Sequence, residues 1–482
     1  MDDFLALAAQ SSPAHTAIVT PGGAMTYAEL NRQVAAQCAR LTALGVKCGE
    51  RVAVLLDRSL EAVRLVHACA RLGTVLVPLN TRLMAAEMQS QIDSAACRWV
   101  FSTLEKPPLA GAVAMESLAP VTDFENWLGG EFDLENDFGI LFTSGTTGRP
   151  KGAVLTWGNL FWSATASAFR LGVFPDDRWL LALPLYHIGG LSILFRSALY
   201  GSAVVLPAFP SDQFDLAHLW TCLHESSATL LSLVPTMLYR LLNENPAASD
   251  WPASLRLILL GGAAAPAETL ARALAIRLPI AVTYGLSEAA SQVATATPHQ
   301  TRRKPGTVGR PLPWVQLRVV DADENPLPAH EIGELQVRGK TVMRGYLHLD
   351  AGNGGAPDRW LATGDLGYCD DDGDWWVVQR RTDLIVSGGE NIYPAEIEAI
   401  LCQHHAVEAA CVVGIPHPEW GQQVAAAVVL RPGRHVLPEA LQDFCRQRLA
   451  GFKVPRRIVW FESLPQTPSG KVSRVLVKEQ IN

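Results

Sequence analysis

Short apolar runs alternate with helical stripes along this chain. After Thr26-Tyr27-Ala28-Glu29, a hydroxyl followed three residues later by a carboxylate, Leu30, Val34, Cys38, Leu41 and Leu44 recur at helical spacing. That pattern predicts a capped helix ending at Gly45. Val52-Ala53-Val54-Leu55-Leu56 reads as a strand, 60–72 as a helix and 75–79 as the next strand. Phe138-Gly139-Ile140-Leu141-Phe142 is a further buried strand, and the alternation resumes with strands at 178–183, 203–206, 255–260 and 280–283. Strands alternating with helices predict parallel sheets covered by helices, an α/β fold.

From about residue 302 the texture changes to short strands at 315–320, 333–337 and 375–378, separated by Gly, Pro and Asp turns. They predict a small β-rich subdomain on a large N-terminal domain. Arg380-Arg381-Thr382-Asp383 opens a compact final unit of about 100 residues, with strands at 407–413 and 424–430 and helices at 394–401 and 438–449. Pro394 can open its helix because the first helical position needs no N–H. The expected domains are 1–380 and 381–482.

The apolar stretch 179–209 is interrupted by Pro184, His187, Gly189, Gly190, Arg196 and Gly201. It therefore reads as strand, loop, helix and strand in a buried core, not as a membrane span. A chain of 482 residues exceeds one hydrophobic core. With 49% hydrophobic and 18% charged residues it has an ordinary globular composition, and a net charge of −7 gives no general attraction to nucleic acid or anionic lipid. Arg302-Arg303-Lys304 is expected to be a solvated loop. The nine cysteines are scattered with no C-x-x-C pair, which suits free thiols in a reducing cytoplasm. Met1-Asp2-Asp3-Phe4 lacks the basic start of a signal peptide, so a cytoplasmic protein without membrane insertion is expected. A homo-oligomer is compatible with all of this.

The richest local chemistry lies in Thr143-Ser144-Gly145-Thr146-Thr147-Gly148-Arg149-Pro150-Lys151-Gly152. Hydroxyls, backbone N–H groups and an ammonium are the groups that hold a polyphosphate, and glycines let the chain approach it closely. The loop is not a Walker A sequence: Arg149 and Pro150 separate Gly148 from Lys151, and glycine follows the lysine.

That loop resembles the signature of the adenylate-forming superfamily of acyl-CoA synthetases, luciferases and adenylation domains. Leu260-Gly261-Gly262-Ala263, Tyr284-Gly285-Leu286-Ser287-Glu288, Thr363-Gly364-Asp365, the segment 380–398 and Pro468-Ser469-Gly470-Lys471 follow in the family's order. The resemblance implies an active site in a cleft between a large α/β domain and a mobile C-terminal domain. It implies ATP and CoA as co-substrates and Mg²⁺ as cofactor. Thr143, Ser144, Gly145, Thr146, Thr147 and Lys151 would hold the phosphates, with Glu288 and Thr147 on the metal. Gly262, Ala263, Tyr284, Gly285 and Ser287 would surround the adenine, and Asp365 and Arg380 the ribose. Lys471 would bridge the carboxylate to the α-phosphate as the two anions meet. Gly388 and Gly389 would help form the pantetheine tunnel after a domain swing. The pivot would fall at Thr382, where most relatives carry Asp or Lys.

Within the superfamily the likeness is strongest to o-succinylbenzoate–CoA ligases of menaquinone biosynthesis. It rests on the run from Leu183 to Ser192 leading to Arg196, on Ser291-Gln292, on the GGENIYP segment 388–394 and on the chain's short length. The resemblance implies His187, Arg196, Gly262, Ser291 and Gln292 around the acid; Gly189 stands where relatives have serine. A cation in an apolar helix needs an anion to offset its desolvation, and a dicarboxylate would supply one; an internal salt bridge would serve equally. Three other readings stay open: a ligase for benzoates, cinnamates or fatty acids, an adenylation enzyme loading a carrier protein, and a non-catalytic nucleotide-binding regulator. Only eleven residues follow Lys471, which leaves no carrier segment there.

Overall fold

The expected capping box is present: Thr26 Oγ1 accepts from Glu29 N–H while the Glu29 carboxylate accepts from Thr26 N–H. It starts the helix Tyr27–Ala43, which buries Leu30, Val34, Cys38 and Leu41; Leu44 lies beyond its end and is exposed. The computed structural model describes residues 2–121, 123–144, 150–207, 215–245, 247–348, 359–379, 384–465 and 472–481.

Those residues build two large sheets in the N-terminal part. One has seven strands, in the order Gly345–Tyr346, Pro150–Thr156, Asp137–Ser144, Val75–Pro78, Arg51–Leu55, Trp99–Ser102 and Val113–Ala114. Its centre is parallel, but Asp137–Ser144 and Pro150–Thr156 pair antiparallel, with Thr143 opposite Lys151. The second sheet has nine strands, with a parallel centre that includes Arg178–Leu180, Leu230–Leu233, Leu257–Leu260 and Ile280–Leu286. Leu230–Leu233 and Leu257–Leu260 are buried throughout, as strands covered on both faces must be.

A four-stranded antiparallel sheet, Val315–Val320, Gly333–Gly339, Leu361–Cys369 and Trp375–Gln379, forms the expected β-rich subdomain. Arg302-Arg303-Lys304 is not a solvated loop. The two arginines end the short helix Pro298–Arg303, and the Lys304 ammonium sits 2.7, 2.6 and 3.0 Å from Asp370, Asp372 and Asp374. Three carboxylates on one tight turn need a cation, and the chain supplies its own.

From Leu384 onward the chain packs around a core of its own, which includes Ile385, Ile397, Leu401, Val412, Val428 and Leu441. Pro394 does open the helix Pro394–Leu401. The boundary proposed at 380/381 and the hinge residue Thr382 lie outside the described residues. No helix among the described residues is long and apolar enough to cross a membrane.

Candidate active site

One cleft of about 990 Å³ runs between the N-terminal part and the C-terminal unit. Strand ends and the loops after them form its walls, where backbone groups are not consumed by the sheet. Thr143, at the end of Asp137–Ser144, donates from Oγ1 to Glu288 Oε1 at 3.1 Å. Tyr346 donates its hydroxyl to the same oxygen at 2.9 Å. The Lys151 ammonium lies 5.4 Å from the centre of the Tyr346 ring. A carboxylate, two hydroxyls and an ammonium therefore meet at the end of the paired strands Asp137–Ser144 and Pro150–Thr156. Tyr346 was not legible as a site residue: it is distant in sequence and reaches Glu288 only because Gly345–Tyr346 pairs with Val154 and Ala153.

Glu288 lies in the one-turn helix Ser287–Ala289, directly after the strand Ile280–Leu286. That placement depends on Gly285, where a Cβ would lie 1.8 Å from Ser291 O on the adjoining strand. Gly262 has φ +81° and lines the cleft, as do Gly285 and Ser287; Ala263, next to Gly262, is half-buried. Tyr284 is buried and its hydroxyl donates to Asp365 Oδ2 at 2.8 Å. Asp365 lines the cleft, with its backbone N–H held by Thr363 Oγ1 at 3.1 Å. The side chain of Ser144 and all of Gly145, Thr146, Thr147, Arg380 and Lys471 lie outside the described residues.

Arg196 reaches the cleft from the helix Ile188–Tyr200 and is only 2% exposed. Its guanidinium donates weakly to Ser163 Oγ at 3.4 Å and lies 5.8 Å from the Trp179 ring centre. Nε has no partner, and among the described residues no carboxylate lies within 4.0 Å. The internal salt bridge is thus not found there, and burial lowers the group's pKa. Gln292, 1% exposed, also lines this end; Nε2 donates to Thr295 Oγ1 while Oε1 has no partner. Ser291 lines it with φ +102°.

The C-terminal unit closes the other side. Gly388 and Gly389 turn at φ +60° and +86°, and a Cβ on Gly389 would approach the Val234 side chain to 3.2 Å. The next residue, Glu390, enters the N-terminal wall. It meets Arg82 and Asn80 at 3.0 Å, the Tyr186 hydroxyl at 3.3 Å and His187 Nε2 at 3.5 Å. Burial pushes the Glu390 carboxyl up, but His187, Arg82 and Asn80 outweigh it and hold the pKa down to about 2. His187 lines the cleft and is paired with this carboxylate. These partners lie some three hundred and two hundred residues away from Glu390, so local patterning carried no signal for them.

The cleft thus holds a carboxylate fixed by two hydroxyls, with an ammonium nearby and a second unit closing over it. The chain belongs to the AMP-binding enzyme family, whose model matches residues 5–347; the AMP-binding enzyme C-terminal domain matches residues 396–471. Within that family it is 39% identical to the 2-succinylbenzoate–CoA ligase of Bacillus cereus strain Q1, over 98% of this chain and 97% of the relative. Solved structures of the Bacillus subtilis o-succinylbenzoate CoA synthetase are similar over 98–100% of both chains. A double mutant bound to its product analogue OSB-NCoA matches at TM-score 0.88 with 35% identity. The complex with the acyl-adenylate OSB-AMP matches at 0.73 with 35% identity, and that with ATP and magnesium at 0.70 with 34%.

Proposed function

We propose that this protein is an ATP-dependent, AMP-forming ligase that converts 2-succinylbenzoate to 2-succinylbenzoyl-CoA. The observation that carries the choice of acid is Arg196, a cleft-lining guanidinium almost without exposure and with no carboxylate partner among the described residues. An uncompensated buried cation is costly, and the aryl carboxylate of a dicarboxylic acid would compensate it. The family resemblance and the relatives that act on this acid point the same way.

In the first step the substrate's free carboxylate oxygen attacks the α-phosphorus of ATP. An O–P bond forms, the bond to the β-phosphate breaks, and pyrophosphate leaves with the electron pair. In the second, the CoA sulfur attacks the acyl carbon. A C–S bond forms, the acyl C–O bond breaks, AMP leaves with the electron pair, and the thiol proton passes to solvent. Both steps gather negative charge, so the protein's work is positioning and electrostatic stabilisation.

Thr143, Lys151 and the hairpin residues Ser144, Gly145, Thr146 and Thr147 grip the phosphates in this reading. Asp365, braced by Tyr284, takes the ribose hydroxyls with Arg380, and Gly262, Ala263, Gly285 and Ser287 flank the base. Lys471 neutralises the meeting anions, and Gly388 and Gly389 border the pantetheine path. Glu288 and Thr143 present hard oxygen donors 3.1 Å apart, which fits Mg²⁺. Bound to Glu288 and Thr147, the ion would offset phosphate charge. We place the domain boundary at 380/381. Nine free cysteines suit work in the cytoplasm.

The domain arrangement supports a finer statement. The same Bacillus protein matches far better with the CoA product analogue than with ATP or acyl-adenylate, at 34–35% identity throughout. We read the present arrangement as the one for thioester formation.

Arg196→Met tests the acid. With ATP, Mg²⁺ and CoA, and thioesters scored by mass spectrometry, kcat/KM for 2-succinylbenzoate should fall about a hundredfold, the loss of one buried charged hydrogen bond. Turnover of benzoate should not fall with it. Equal loss across acids, or none, overturns the choice of substrate.

A further inference from the structure

The C-terminal unit carries a nearly buried lysine that the chemistry above does not use. Lys453, 5% exposed, ends the one-turn helix Gly451–Lys453. Its ammonium lies 2.7 Å from Glu396 Oε1 and 2.6 Å from Glu87 Oε1. Glu396 belongs to the same unit, in the first turn of Pro394–Leu401; Glu87 is in the N-terminal part, in the first turn of Ala85–Ala95. Glu87 Oε2 meanwhile accepts from Met84 N–H at 2.7 Å and starts its own helix. One oxygen holds the helix and the other holds the opposite unit.

The turn that Lys453 anchors is part of the cleft wall. Gly451 and Phe452 line the cleft, and the Arg82 guanidinium lies 4.9 Å from the Phe452 ring centre while also pairing with Glu390. If the units separate, Lys453 keeps Glu396 and the C-terminal unit loses no internal partner. Glu87 alone loses its cation. The pair Glu87–Lys453 therefore stabilises one domain arrangement and is silent in any other, which is what a group must do to shift the balance between them.

We propose that Glu87 and Lys453 are positioning residues for thioester formation: their ion pair clasps the wall turn Gly451–Lys453 onto the N-terminal part and so populates the CoA-accepting arrangement. The proposal rests on the ligase reading above.

The test uses the full-length protein and reads the half-reactions separately. Pyrophosphate release in the first turnover, without CoA, reports adenylation. AMP release on mixing purified acyl-adenylate with CoA reports thioester formation. Glu87→Gln keeps an acceptor for Met84 N–H and leaves the Lys453–Glu396 pair in place. It should leave adenylation within about twofold and slow thioester formation about tenfold, a shift of the size typical of one coupling interaction. Glu87→Lys, which places like charges together, should slow the second step by about a hundredfold. Glu87→Asp, with the charge restored, should recover most of the rate.

Equal losses in both half-reactions would mark a merely structural role and overturn the proposal. So would an unchanged second step in both the Gln and Lys variants. If the parent protein releases no pyrophosphate with 2-succinylbenzoate, the substrate reading fails. The same assays, run with the acid it does activate, still decide the clasp.

Discussion

Single side chains here divide between those that hold a charge in place and those that keep one out. Tyr346 and Thr143 both donate to Glu288 Oε1, so the carboxylate is aimed before any ligand arrives. Tyr346→Phe should raise the Mg²⁺ concentration for half-maximal pyrophosphate release about fivefold, the worth of one charge-assisted hydrogen bond, and weaken Mn²⁺ binding measured by electron paramagnetic resonance in parallel. His67 does the reverse. It is buried with its ring 5.5 Å from Phe195, and burial pushes its pKa down to about 4, with Asp3 raising it and Arg71 lowering it to a lesser degree. The unfolded chain protonates this imidazole near 6.5, the folded chain only near 4. Its neutral form thus supports the fold fully above about pH 6.5, and about 3 kcal/mol is lost as the pH falls from 6.5 to 4. Urea midpoints at pH 7.5 and 4.5 should differ less for His67→Leu than for the parent protein.

Elements in this protein serve the site through where they stop. The strand Ile280–Leu286 takes a register shift at Tyr284/Gly285, stays paired with Gln292 and Ser291 to its end, and so delivers Glu288 just beyond it. Gly285→Ala would drive a methyl into the Ser291 carbonyl, 1.8 Å away, and the backbone must yield. The expected cost is about 2–3 kcal/mol in urea unfolding, of the order seen for overpacked sites, with adenylation falling further than stability alone explains. The elements themselves were legible wherever their pattern was local. Capping chemistry placed the start of Tyr27–Ala43, and continuous apolar runs placed Arg51–Leu55 and Val75–Pro78. Other stretches were longer in pattern than in pairing: 178–183 is a strand only over Arg178–Leu180, and 438–449 a helix only over Pro438–Arg446. Leu181 and Ala182 continue buried without further pairing, and beyond Arg446 the exposed Gln447 and Arg448 precede a buried Leu449; burial alone extends neither ladder nor helix.

At the scale of the whole molecule, the proposed function sets two charge problems and calls for two placements of the C-terminal unit. In the present placement Glu390 is seated among Arg82, Asn80, Tyr186 and His187. We expect Lys471 to be needed only in the other. Lys471→Ala should slow first-turnover pyrophosphate release by about a thousandfold, as loss of one preorganised charge does, while capture of purified acyl-adenylate by CoA stays within a few fold. Parallel loss of both steps would mean that the lysine serves the fold or the thiol step instead.

By itself the sequence determined the α/β class, most strand and helix cores, the family's motifs in order and the lone arginine in an apolar helix. Each is local: a periodicity, a cap, a run of glycines and hydroxyls. Only the tertiary structure decided that Lys304 belongs to three aspartates, that Tyr346 aims Glu288, that Arg196 meets no carboxylate among the described residues, and that Glu87 and Glu390 reach across to the other unit. Those facts turn on contacts, made or missing, between polar groups far apart along the chain. Sequence periodicity sets which face a side chain takes, but the partner on that face is set by how sheets and domains stack.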